Sequence, residues 1–194
     1  MKRNSPLAGK RPTIMEELLS QLHGPMALSV AAWFWKGAAL RHASDIVWDQ
    51  FWRTWSMAID SHIEDEDLSP EQKLDIKLGA VWRMLTGMAI EAFTKGIILA
   101  RGSKKLSDVT GLGHRLKTLC AKAQINLQSK EKSYLEVLEK AVVWEGRYPV
   151  PKETPEMDVF FPPDKDDLLV VNTLFKRIDK EYKAILYSPA REVK

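Results

Sequence analysis

Histidine is the side chain whose charge changes nearest to neutral pH. Of the four histidines in this chain, His114 has the setting best suited to using that property. It follows Gly113 and opens a helix expected from about His114 to Ala123. The positive end of a helix dipole disfavours an imidazolium there, which leaves a neutral base. Arg147 can hold a phosphate with two parallel hydrogen bonds. An imidazole and a guanidinium at one anion can accept a proton, return one and offset developing negative charge. Glu91 and Lys95 form an i, i+4 pair. On an exposed helix such a pair means little, but on a central helix it is a buried ion pair or the wall of a site. Plainer roles stand beside these. His114 can tie down a loop, Arg147 can pair with Glu145 or cover helix-end carbonyls, and Tyr148 before Pro149 reads as a packed turn residue.

Charge is segregated along the chain. The net charge of +3 at pH 7 is too small to imply a nucleic-acid partner by itself. Residues 60–75 are acidic, whereas 101–122 carry Arg101, Lys104, Lys105, Arg115, Lys117 and Lys122 against Asp108. That basic run can track a phosphate backbone or simply form a solvated face. A second basic cluster, Lys2, Arg3, Lys10 and Arg11, lies near the N-terminus. Cys120 is the single cysteine, so no intrachain disulfide can form, and a buried thiol in a reducing compartment is expected. No signal-peptide pattern opens the chain, and the apolar stretch 26–40 is too short to span a bilayer and contains Lys36. The expectation is a cytoplasmic protein with no membrane contact. No metal site is expected, since His62 and the neighbouring acids lack a second His at a helical ligand spacing. No cofactor is expected either, because dinucleotide, phosphate-loop and nucleophile-elbow signatures are all missing.

These residues need helices to position them, and the periodicity supplies helices throughout. Residues 1–12 read as a flexible tail, 13–188 as one helical-bundle domain and 189–194 as a C-terminal tail. Thr13 with Glu16 can form a capping box, and Pro25 suits the first turn of a helix reaching about Ala43. Ser44 either caps a further helix or lies inside a continuing one. Trp48, Trp52, Trp55 and Ile59 share a face, expected to be core or a dimer seam. Ser69-Pro70-Glu71-Gln72 is a strong helix start, and Gly102 a stop. On that helix the polar face mixes Arg83, Thr86, Glu91, Thr94 and Lys95 with Gly79, Ala80 and Gly87, so another backbone is expected to pass close by. Ser129 is expected to cap a helix ending near Trp144, and Asp164 a last amphipathic helix. The fold class is all-α, an antiparallel bundle. Short connections make successive helices antiparallel, which brings His114, Arg147 and Tyr148 to one end of the bundle, near Glu91, Lys95 and the end of the helix at Arg101.

Three short segments carry a family resemblance. Thr86-Gly87-Met88-Ala89-Ile90-Glu91-Ala92-Phe93-Thr94-Lys95-Gly96 resembles the central helix of HEPN-domain proteins. Gly113-His114-Arg115-Leu116 resembles their Gly-His-x-Leu element, and Gly146-Arg147-Tyr148-Pro149 is similar to a Gly-Arg-Tyr-Pro turn found in one such group. The match covers about residues 70–151, and an HEPN-like core over about 70–188 with extra N-terminal helices is the architecture it implies. The resemblance further implies a homodimer, contact with RNA or nucleotide, and a nucleotidyltransferase or antitoxin as partner. It implies His114 and Arg147 as the catalytic pair if the protein is a ribonuclease. Glu91, Lys95, Arg101, Lys104, Lys105, Arg115 and Tyr148 are then the residues expected to bind. The family's catalytic spacing of an Arg, four to six residues and a His is missing here. The expected function is therefore a binding or regulatory role, with a variant endoribonuclease or a purely structural interaction protein as alternatives.

Overall fold

A computed structural model describes residues 29–102, 109, 111–145 and 162–186. Every regular element among them is helical. Helix α1 spans Val30–Asp60, α2 Pro70–Ala100, α3 Leu116–Lys122, α4 Ser129–Lys140 and α5 Lys165–Leu186. A short 3-10 turn at Asp65–Asp67 precedes α2, and a π-helical turn at Ala141–Glu145 extends α4.

Helices α1 and α2 form a long antiparallel hairpin, and α1 is an integral wall of the core. Phe34 lies against Phe93 at its open end, Trp48 against Trp82 midway, and Thr54 donates to Asp75 near the turn. Ser44 does not start a helix. The chain runs helical through it, and the buried Ser44 hydroxyl bonds back to the Arg41 carbonyl at 2.8 Å. Nothing at 43–45 breaks a helix, and packing against α2 on both sides carries α1 through. The capping box at the start of α2 forms fully. Gln72 N–H donates to Ser69 Oγ at 3.2 Å, and Ser69 N–H donates to Gln72 Oε1 at 2.7 Å. Gly102, at φ 103°, ends the helix as expected.

Helix α5 lies across both members of the hairpin, running antiparallel to α1 and parallel to α2. Phe34 meets Tyr182 with ring centroids 3.9 Å apart, and Arg41 donates to Asn172 at 2.6 Å. Asp164 caps α5, its carboxylate accepting from Asp167 N–H at 2.9 Å. Helices α3 and α4 close the far side. Their antiparallel fold-back is fixed where Glu139 accepts the Lys117 backbone N–H at 2.9 Å. The glycine at position 87 permits the close approach expected on that face, since a Cβ there would stand 3.2 Å from the Leu138 carbonyl oxygen and 2.5 Å from Val142 Cγ2.

The tryptophan face is core for most of its length. Trp48 is buried, and Trp52 and Trp55 are half-buried, but Ile59 turns outward and is 50% exposed. Phe51, fully buried, takes the position in the core that the stripe did not mark. Two helix starts differ from expectation. Helix α4 opens at Ser129 with Gln128 as its cap residue, whose N–H donates to Glu131 Oε2 at 2.6 Å. Helix α3 opens at Leu116, two residues beyond His114. No helix among the described residues is long and apolar enough to cross a membrane.

Candidate functional site

Lys95 lies in the last third of α2, where the helix passes beneath the start of α1. Its side chain is almost fully buried. A buried ammonium needs a counter-charge and hydrogen-bond acceptors. Glu91, one turn back, supplies both, with Lys95 Nζ 2.5 Å from Glu91 Oε1. The Trp33 ring of α1 covers a further face of the ammonium, its centroid 5.1 Å from Nζ, a cation–π contact. The second carboxylate oxygen of Glu91 faces away from Lys95 and receives His114, whose Nδ1 lies 2.7 Å from Oε2. The result is a three-residue relay. A buried lysine fixes a carboxylate, and the carboxylate fixes an imidazole.

Exposure falls off inward along this relay. The His114 side chain is 33% exposed and Glu91 only 12%. Among the described residues no hydrogen bond involves His114 Nε2. With its Nδ1 proton held by Glu91, a neutral imidazole keeps the Nε2 lone pair available as an acceptor, whereas a protonated one offers an N–H donor there. A carboxylate on one ring nitrogen is the general way proteins set the tautomer and aim the other nitrogen. His114 is not held by a helix start. It sits in the turn after Gly113, at φ 55°, and before Arg115, the cap residue of a helix only seven residues long. A helix dipole therefore does not set the state of His114, and the Glu91 carboxylate takes over the orienting role.

The other expected site residues divide three ways. Arg101 is held internally. Its guanidinium donates to the Ala123 carbonyl and, at 2.6 Å, to Glu181 Oε2, locking the ends of α2 and α3 to α5. Arg115 is exposed beside His114, while Lys117 pairs with Glu136. Lys104, Lys105, Arg147 and Tyr148 lie outside the described residues. The chain does return toward His114 before Arg147, because Glu139 in the last turn of α4 caps Lys117 N–H, three residues from His114.

Sequence reasoning missed Trp33, which lies 62 positions before Lys95 and gives no spacing signal; its position one turn from Gly37 on α1 was the available hint. Cys120 is buried in α3, and burial pushes its thiol up to about 12, helped by the Glu131 and Glu139 carboxylates. That makes it inert at neutral pH. No family model, curated protein or solved structure matches this chain.

Proposed function

We propose that this chain is an HEPN-like nucleotide- or RNA-associated binding protein, regulatory rather than efficiently catalytic, that receives a phosphate at His114. One observation carries the reading: His114 Nδ1 stands 2.7 Å from a carboxylate that is itself anchored by a buried lysine. A loop histidine with no task does not need a pre-aligned partner on the central helix. The arrangement leaves Nε2 unused by the described residues on a side chain one-third exposed, and the exposed Arg115 adds positive charge beside it. Glu91 acts as a positioning residue and Lys95 as its anchor. In this reading Lys104, Lys105, Arg147 and Tyr148 supply the remaining contacts to the anion and its neighbours. The family's nucleotidyltransferase or antitoxin partner belongs to the same proposal.

The test is fluorescence anisotropy with a labelled single-stranded RNA across a salt series. Binding that weakens linearly in log salt is expected, with His114→Ala lowering affinity about tenfold or more, the loss of one charge-assisted hydrogen bond. Equal binding by the wild type, His114→Ala and Arg147→Ala proteins, or none at low salt, overturns the proposal and leaves a structural interaction protein.

A second reading draws on the same geometry. An imidazole aligned by a carboxylate is what a general base requires. Under it the protein is a metal-independent endoribonuclease with a variant His114/Arg147 site. Cleavage of the labelled RNA in chelator, abolished by His114→Ala, would establish that reading over the first.

A further inference from the structure

The outer face of α1 carries a pattern that the RNA reading does not use. Three large apolar side chains stand exposed along it: Trp35 at 78%, Ile46 at 58% and Met57 at 41%. They are spaced evenly, eleven residues from each to the next, which is close to three helical turns. All three therefore fall on one line along the helix. The positions between them on that line, Ala39, His42, Asp49 and Arg53, are also exposed, so the stripe is continuous. Among the described residues the other large exposed apolar side chains, Ile59, Leu74 and Leu169, lie off it.

The three apolar positions of the stripe are symmetric about Ile46. Turned end for end about that residue, Trp35 falls on Met57, Ile46 on itself, and His42 next to Asp49. A surface that matches itself under reversal fits a second copy of itself across a two-fold axis. We infer that α1 pairs antiparallel with α1 of a second copy of this chain, with Ile46 on the two-fold axis. Each Trp35 ring then packs on the partner's Met57 thioether, a favourable sulfur–aromatic contact. Each His42 imidazole faces the partner's Asp49 carboxylate, giving two symmetric polar pairs that fix the register. Ala39 leaves room opposite Arg53. Contact along one helix pair, about 33 Å at about 1.5 Å per residue, sits at the small end of specific interfaces. The dimer is therefore concentration-dependent.

Cysteine cross-linking of the full chain tests the register directly, because Cys120 is buried and does not compete. Ile46→Cys is expected to give a covalent dimer rapidly under mild oxidation at micromolar protein. Leu169→Cys, equally exposed on α5, measures random collision. Trp35→Cys alone will not cross-link, since its two copies lie about 33 Å apart across the axis. Mixed with Met57→Cys it will. Ile46→Asp places like charges on the axis and is expected to weaken the dimer at least tenfold by sedimentation, with helical content unchanged. A wild-type protein monomeric at every concentration overturns the inference. So does Ile46→Cys cross-linking no faster than Leu169→Cys, the result expected if residues 1–28 of the same chain cover the stripe.

Discussion

Helix α2 buries two cations, just over three turns apart, and holds them in different ways. Lys95 stands 2.5 Å from Glu91, which also binds His114, so both carboxylate oxygens are used. Arg83 stands 3.9 Å from its carboxylate, Asp167, at the start of α5. Arg83 also acts on the buried Tyr134 hydroxyl, whose titration it pulls down against the rise from burial. Thr86 Oγ1 and Trp82 Nε1 are buried with no hydrogen-bond partner among the described residues. Burial holds the Asp167 carboxyl above its ordinary value, against the lowering by the Asp164 backbone N–H and, more weakly, by the Arg83 charge. The two sites share a helix and a degree of burial, so burial alone does not decide how a charge is held. What differs is where the acid comes from. Glu91 is on the same helix, one turn away, and its distance is set by helix geometry. Asp167 is brought by a different helix and is also held by its role as a cap.

The largest expected effect is at the tight pair. Glu91→Ala leaves Lys95 buried without its counter-charge, and a cost of about 3–5 kcal/mol is expected from breaking such a pair, read as a lower urea midpoint. It is also expected to reduce RNA binding as His114→Ala does. A cost near that of the Asp167 change below would erase the contrast between the two sites.

Next is Gly87, which separates the two cations. Gly87→Ala pushes a methyl group toward the Leu138 carbonyl and Val142. Overpacking of this kind costs about 1–3 kcal/mol. Because Gly87 packs on the segment that carries Glu139, the variant will also lower the protection of Lys117 N–H from hydrogen exchange.

The smallest effect is at the loose pair. Asp167→Asn is expected to change stability at neutral pH by about 1 kcal/mol or less, because the lost charge attraction is weak and an amide oxygen can still cap. The pH dependence gives the sharper signal. A carboxyl whose pKa is raised by folding binds its proton more readily when folded than when unfolded. Stability from it is present below its unfolded value and lost as pH rises through its folded value. Lowering the pH through that window will therefore stabilise wild type relative to Asp167→Asn, measured as the difference in urea midpoints. The opposite slope would mean that Arg83 holds Asp167 more firmly than the 3.9 Å separation implies.

How far the sequence reveals this molecule depends on the range of the interaction. The box at Ser69 and Gln72, the stop at Gly102 and the cap at Asp164 are local, and each forms where the residues indicate. The Glu91–Lys95 pair was legible for the same reason, since helix geometry sets it. Ser44 was ambiguous because a serine cap is worth little against a helix face packed along its whole length. The start of α3 fell two residues late because Gly113 and Arg115 form a turn whose geometry the letters Gly-His-Arg do not fix. The bond from Glu91 to His114 spans 23 residues and a loop. The order of elements brought the two into the same neighbourhood, but no periodicity could show that they touch. Trp33 over Lys95 lies further beyond any local signal.

Arg101 has a consequence for how the chain assembles. Its planar head joins Ala123 and Glu181, 22 and 80 residues away along the chain. No early, locally formed structure can contain that junction, because both ends of a long loop must already be closed for it to exist. It is therefore a latch that shuts late. Once shut, it ties the end of α3 to the ends of both α2 and α5, so the slowest-exchanging amides of that short helix will report on the unfolding of the whole bundle rather than on local fraying.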